Sequence, residues 1–236
     1  MQNEKGRKSV MMKNILVKLS GEAFGSDETP FATEAIRGYA QALEAGLKQR
    51  EKIFVVCGGG NVCRGRSFNN NVRADYAGML ASVQNGLFLN IALEELGIRT
   101  QLILPDNFTI PYGVHETELD PAAEVVIYAG GVGQPGHSTD YVCSIKSIAH
   151  DCDIYFAKMG VDGVYDSDPR KNPNAVFIPE LSFREIADKK LGIIDLEAAQ
   201  LLAESSCKGY VFELNAQNLR AMLCDEADAV RKTVIL

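Results

Sequence analysis

The sequence predicts an α/β fold built on a mainly parallel sheet, and three observations carry that prediction. Short apolar runs of strand length alternate with longer stretches in which apolar residues recur at helical spacing. The first such unit reads β-α-β, which implies a parallel pair joined by a right-handed crossover. Two of the strand-like runs end in glycine clusters that lead into helical segments, as phosphate-binding turns do. At 236 residues and 46% hydrophobic, the chain is long enough for one sizeable core, and we expect a single domain with two lobes.

The elements follow in order. Residues 1–12 are charged and lack a signal-peptide core, because the apolar run after them soon meets Lys13 and Lys18; they are expected to be a flexible lead-in. Ile15-Leu16-Val17 fits a buried strand closed by Lys18-Leu19-Ser20-Gly21-Glu22. A lysine there stands at the sheet edge where open α/β folds bind ligands, although a solvated lysine is the commoner fate. Residues 24–30 form a turn-rich loop, and Ile36, Tyr39, Ala40, Leu43 and Leu47 mark an amphipathic helix from about 31 to 50. Residues 52–57 form the second strand and run into Gly58-Gly59-Gly60. Without Cβ atoms that turn can adopt positive φ and bring its N–H groups against an anion, with Arg64 nearby as a planar cationic fork. A ligand-free strand-to-helix turn explains a lone glycine triplet equally well.

A long helix then runs from about Arg73 to Leu96, with Asp75 in its first turn either as a cap or as a carboxylate facing the glycine loop. Residues 101–104 and 124–128 are strands, separated by an irregular stretch over 105–120. The second glycine-rich loop occupies 129–140 and leads into a helix from Thr139 to about His150. His137 in this Pro-Gly turn is a hydrogen-bonding or shape element before it is a proton carrier. Residues 153–156 form another strand, and the polar loop at 157–173 carries Tyr165 and Asp168, which could clasp a base and a ribose. Helices over 182–190 and 195–205, capped by Ser182 and Asp195, a strand at 210–214, a helix at 218–223 and an edge strand at 233–236 complete the chain.

A net charge of −7 argues against nucleic-acid or membrane-surface partners. Six cysteines without CxxC spacing and three scattered histidines make no zinc pattern and fit a reducing, cytoplasmic setting. The chain lacks the GxxxxGK[ST] P-loop.

Taken together, the motifs Lys18-Leu19-Ser20-Gly21-Glu22-Ala23, Gly58-Gly59-Gly60-Asn61 with Arg64-Gly65, Ala74-Asp75-Tyr76 with Gly78-Met79-Leu80-Ala81, Ser138-Thr139-Asp140, and Val161-Asp162-Gly163-Val164-Tyr165 with Asp168-Pro169 resemble the prokaryotic uridylate (UMP) kinases of the amino-acid-kinase superfamily. The resemblance runs from about Met12 to the C-terminus. It implies a three-layer α/β/α sandwich with a mainly parallel central sheet, with an acceptor-nucleotide part over about 13–150 and an ATP part over about 151–236 of a single domain at 13–236. It implies transfer of the ATP γ-phosphoryl group, with Mg2+, to UMP, usually by a homohexamer and often under GTP or UTP as effectors.

Carried over position by position, Lys18, Leu19, Ser20, Gly21, Gly60, Arg64, Tyr165 and Asp168 would bind ATP. Gly59, Asp75, Val132, Gly133, Gln134, Pro135, Gly136, His137, Ser138 and Thr139 would bind UMP, and Lys18, Arg64, Asp140 and Asp195 would serve catalysis, with no metal bound by protein side chains alone. Gly136-His137 replaces the phenylalanine pair usual in bacterial members and looks like the archaeal branch. Two other readings remain: another kinase of the superfamily, such as acetylglutamate, glutamate or carbamate kinase, or a non-catalytic oxoanion store like the molybdenum storage proteins. Asp75 in its Ala-Asp-Tyr context and the 135–140 loop favour the nucleotide-accepting branch.

Overall fold

The computed structural model describes residues 13–236 apart from Asp27, residues 64–67, Asn70, residues 116–118 and Asp225. The expected lead-in at 1–12, and Arg64 with it, lie outside the described residues. The principal strands are β1 (Ile15–Leu19), β2 (Ile53–Cys57), β3 (Thr100–Leu104), β4 (Val114–His115), β5 (Val125–Tyr128) and β6 (Asp153–Lys158). After a small antiparallel hairpin of β7 (Val164–Tyr165) with β8 (Phe177–Ile178) come β9 (Glu180–Leu181), β10 (Gly209–Glu213) and β11 (Lys232–Ile235). Nine of these form one sheet in the order β4-β3-β5-β2-β1-β6-β10-β11-β9, parallel throughout except for the β10–β11 pair. The chain's last strand, β11, is therefore not the edge as expected; the two-residue β9 covers it.

Strand alternation decides which residues each layer receives. Ile15, Val17 and Leu19 of β1 point to one face, where α1 (Thr33–Gly46), α2 (Val72–Glu95) and α6 (Ala216–Leu223) pack; Leu16 and Ile154 point to the other, beneath α3 (Thr139–Ala149), α4 (Phe183–Asp188) and α5 (Leu196–Leu202). The result is a three-layer sandwich with one apolar core on each side of the sheet. Phe24, Leu43 and Leu89 are fully buried in the first, Phe156 and Phe183 in the second. Each such side chain contributes roughly 1.5–3 kcal/mol by leaving water. The same alternation places Lys18 on the α3 side of β1, and Lys158 on that side of the neighbouring β6.

Helix α1 is shorter than its apolar pattern, starting after Ala32 and ending at Gly46, because the turn through Leu47 to Gln49 closes it. Asn71, not Asp75, caps α2: its side chain accepts the Arg73 N–H at 2.9 Å. Ser138, Ser182 and Asp195 cap α3, α4 and α5, and at α4 the reciprocal Glu185 bond completes a capping box. No helix among the described residues is long and apolar enough to cross a membrane.

The two glycine clusters use their missing Cβ differently. Gly130, Gly131, Gly133 and Gly136 have φ between 67° and 88°, as the flexible-turn argument requires. Gly58 and Gly59 do not have positive φ; they are required by close approach. A Cβ on Gly59 would overlap the Gly78 carbonyl of α2, one on Gly21 would overlap the Gly60 amide, and one on Gly58 would come within 2.9 Å of the Gly21 nitrogen. Backbone-against-backbone contact leaves no flexible side chain to yield. We therefore expect Gly59→Ala to lose roughly 2–4 kcal/mol, above the usual cost of an inserted methyl group, read as a lowered urea midpoint; an unchanged midpoint would show that α2 can shift away.

Candidate active site

The loops after β1, β2, β5 and β6 all emerge at the carboxyl edge of the sheet, the edge at which open α/β sheets bind ligands. They enclose two hollows. The first, about 610 Å³, is floored by Gly58, Gly59 and Gly60 and walled by Cys63, Asp75, Gly78, Met79 and the 134–139 loop. The second, about 820 Å³, runs from Lys18, Ser20, Gly21 and Glu22 past Asp140, Lys158, Met159 and Val161 to residues 190–196. Gly58, Gly59, Gly60, Ser138 and Thr139 line both, so the hollows meet over the glycine triplet.

Buried hydrogen bonds hold the floor of the first hollow. The Ser82 hydroxyl donates to the Cys57 carbonyl at 2.6 Å and accepts the Gly130 amide at 3.0 Å, tying the two glycine loops together. Asn85, fully buried, donates to the Gly58 carbonyl at 2.7 Å and pairs amide to amide with Asn61. Sequence reasoning missed both residues. Their signal was a pair of polar side chains three apart in a helix rich in apolar residues, where an unsatisfied polar group would be costly. Asp75 accepts the Gly136 amide at 3.1 Å, so the carboxylate expected in the first turn of α2 spans the hollow to the second glycine loop.

In the second hollow the Lys18 ammonium pairs with Asp140. Both residues are about nine-tenths buried. Burial alone would drive the proton off Lys18, but the charge and hydrogen bond of Asp140, with Asp195 and Cys143, together outweigh it and leave the lysine pKa above its ordinary value. Burial likewise works against the Asp140 carboxylate, and Lys18 and then Lys158 more than compensate, holding its pKa below the usual range. Lys158 makes no ion pair among the described residues. Burial, reinforced by repulsion from Lys18, pushes its pKa down to about 8, while its ammonium donates to the Ile193 carbonyl. Asp195 gives one oxygen to the Ala198 amide at 2.9 Å and the other to the Ser138 hydroxyl, so the caps of α5 and α3 are bonded to each other. Cys143, buried beside Lys18, has its thiol pushed well up by burial and is chemically quiet.

The residues singled out in the sequence divide into two groups. Gly59, Asp75, Gln134, Pro135, Gly136, His137, Ser138 and Thr139 line the first hollow, and Lys18, Ser20, Gly21, Gly60, Asp140 and Asp195 line the second. Leu19 faces the opposite core, and Val132 turns into a separate cleft beside Lys146. Gly133 bonds through its carbonyl to Asn107 at 2.7 Å. Tyr165 and Asp168 line neither hollow. The Tyr165 hydroxyl donates to Asp162 at 2.9 Å and its ring meets the edge of Phe177, while Asp168 holds Arg170 at 3.1 Å. Their neighbours Met159, Val161 and Arg170 line the second hollow instead.

The model of the amino acid kinase family matches residues 13–213, most of the chain. The chain belongs to the amino acid kinase family. Within that family it is 36% identical to the uridylate kinase of Mesoplasma florum, over 86% of this chain and 90% of the relative. Among solved structures, the UMP kinase of Ureaplasma parvum superposes with a TM-score of 0.83 at 28% identity, covering 94% of this chain and 98% of the other. The uridylate kinase of Archaeoglobus fulgidus gives 0.68 at 26%, covering 95% and 100%. The archaeal look of Gly136-His137 is thus a local feature, since the bacterial structure superposes better over the whole chain.

Lys158 gives this family member a pH dependence whose sign can be worked out. Its folded pKa lies below the ordinary lysine value, so below about pH 8 both folded and unfolded chains carry the charge and the folded state bears the burial cost. That cost fades as pH rises from about 8 toward 10.5. Lys158→Met is expected to be more stable than the parent at pH 7 by roughly 1–2 kcal/mol, with the gap closing at pH 9 to 10 in urea unfolding. A variant less stable at pH 7 would mean that the bond to Ile193 outweighs the desolvation.

Proposed function

We propose that the chain transfers the γ-phosphoryl group of ATP to UMP, giving UDP and ADP. The observation that carries this reading is the shared wall of the two hollows: an acceptor in the first and a donor in the second meet over Gly58–Gly60 beside the Lys18–Asp140 pair. The uridylate kinases it resembles supply the acceptor's identity.

In the donor hollow the Ser20 hydroxyl is buried without a hydrogen-bond partner among the described residues, an open polar position of the kind a phosphate oxygen fills. No cluster of three ligating side chains exists among the described residues, so a magnesium ion would enter with the ATP phosphates, where Asp140 and Asp195 would be the carboxylates to hold it. Bound there, the ion would neutralise charge developing on the phosphoryl oxygens.

The chain's own residues do the rest. A UMP phosphate oxygen forms the new bond to the γ-phosphorus as the bond to the bridging β,γ-oxygen breaks, and ADP leaves with that electron pair. The acceptor phosphate is already ionised, so no general base is needed, and catalysis consists of alignment and positive charge. Lys18 supplies the charge, kept protonated and aimed by Asp140. The glycine floor holds both reactants within reach, and Asp75 accepts hydrogen bonds from the acceptor's ribose.

The oligomer expected from the resemblance has a physical counterpart in α2, which exposes Tyr76, Leu80, Phe88 and Ile91 along its length. An apolar stripe of this kind on a long helix fits burial against a second copy of the chain. Six free cysteines accord with work in a reducing cytoplasm, where UDP feeds pyrimidine nucleotide synthesis, with GTP and UTP as the effectors to test.

Four measurements test the reading. A coupled assay for ADP should show turnover with UMP and little with CMP, acetylglutamate or no acceptor; equal turnover without UMP overturns the proposal. Lys18→Ala should lower kcat by about 10²- to 10³-fold with little change in the KM for ATP, because its charge counts most in the transition state, while Asp75→Asn should mainly weaken UMP binding in calorimetry. Leu80→Glu with Ile91→Glu should reduce the mass seen by light scattering, and an unchanged mass would place the interface elsewhere.

A further inference from the structure

Three helices end in one backbone motif, and at one of them the residue is out of place. At α2, α3 and α4 the second residue past the helix takes a left-handed conformation while two amides return to the last turn. At α2 this residue is Gly97, φ 76°, with Gly97 N to Glu94 O at 2.9 Å and Ile98 N to Leu93 O at 3.1 Å. At α3 it is Asp151, φ 47°, which also pairs with Lys13 at 3.4 Å. Glycine has no Cβ to strain there, and aspartate tolerates the conformation through local hydrogen bonding. At α4 it is Lys190, φ 50°, with Lys190 N to Ala187 O at 3.3 Å and Leu191 N to Ile186 O at 3.1 Å.

Lysine has neither excuse. Its side chain is exposed and makes no ion pair among the described residues, whereas the adjacent Lys189 bonds to Glu185 at 2.9 Å. What distinguishes Lys190 is its position on the donor hollow, which Met159, Arg170 and Leu191 also line. Arg170, the other cation of that rim, is already held by Asp168. A strained backbone position occupied by a side chain without protein partners points to a ligand as the reason for that side chain.

We propose that Lys190 is a donor-capture residue: its ammonium attracts and contacts the polyphosphate of the incoming nucleoside triphosphate, and takes no part in transfer. The proposal rests on the reading of the second hollow as the donor site. An exposed charge pair of this kind is worth a small factor, so Lys190→Asn and Lys190→Gly should raise the KM for ATP about two- to fivefold. They should leave kcat and the KM for UMP unchanged, and the decline of kcat/KM for ATP with added salt should become shallower. Lys190→Arg should stay close to the parent. Lys190→Gly should also melt about 2 °C higher, because the left-handed strain is gone.

A KM for ATP and a salt dependence unaltered in Lys190→Asn and Lys190→Gly would overturn the proposal and leave a surface lysine. Calorimetric titration with a non-hydrolysable ATP analogue and no acceptor separates this test from the choice of acceptor. If the parent binds the analogue yet leaves UMP unphosphorylated, the UMP assignment falls, and the affinity of Lys190→Asn alone decides the role of Lys190. A parent that binds no analogue refutes both.

Discussion

A lysine ammonium enclosed by protein keeps its proton only against an opposing charge, and the structure turns on that constraint at Lys18. Taking an ion out of water costs several kcal/mol, and Asp140, delivered by α3 from above the sheet, offsets the cost for both partners. The pairing fixes much else. It requires α3 to start directly over the end of β1, which the left-handed glycines of the preceding loop and the Ser138 cap make possible. It also leaves Lys158 as a second, partly buried ammonium without an ion pair among the described residues, held by the Ile193 carbonyl and carrying a depressed pKa. Lys18 and Lys158 thus face the carboxylates of Asp140 and Asp195 across this end of the hollow.

The second constraint is steric. Gly21, Gly58 and Gly59 let three backbone segments approach at distances no side chain on them permits. This brings the ends of β1 and β2 and the first turns of α2 together at one point, so that the two hollows share a wall. Three of the backbone groups thereby buried are answered by α2: the Cys57 and Gly58 carbonyls by Ser82 and Asn85, the Gly130 amide by Ser82. Electrostatics and close packing act on opposite sides of the same three glycines.

Much of the fold was legible in the sequence, because β-branched runs and helical periodicity are properties of short segments. The first six long elements and the three polar caps at Ser138, Ser182 and Asp195 lie where those patterns put them. The site was legible where it rests on glycine and charge, in Lys18, Gly59, Asp75 and the 134–140 loop, which the sheet brings to one rim. Other features depend on tertiary contact. Strands of two residues such as β8 and β9 have no periodicity to detect. The glycine triplet was assigned a reason, positive φ, that belongs to the other loop, since close approach cannot be seen without the partner backbone. Tyr165 and Asp168 satisfy local partners, Asp162 and Arg170, and so stand outside the hollow that a linear motif suggests for them. Ser82 and Asn85 looked like ordinary polar helix residues until the helix was set against β2.

The Ser82 hydroxyl, bonded to one glycine loop and accepting from the other, works as a rivet. With Asn85 it makes the base of the acceptor chamber stiff: widening it would strand a buried carbonyl and a buried amide at once. The opposite wall, residues 133–137, contains two glycines with positive φ and is tethered at its backbone by Asp75, at the Gly136 amide, and by Asn107, at the Gly133 carbonyl. The chamber thus has a rigid gauge on one side and a compliant jaw on the other. Variation in what it accepts among related chains should accumulate in the jaw, leaving the gauge unaltered.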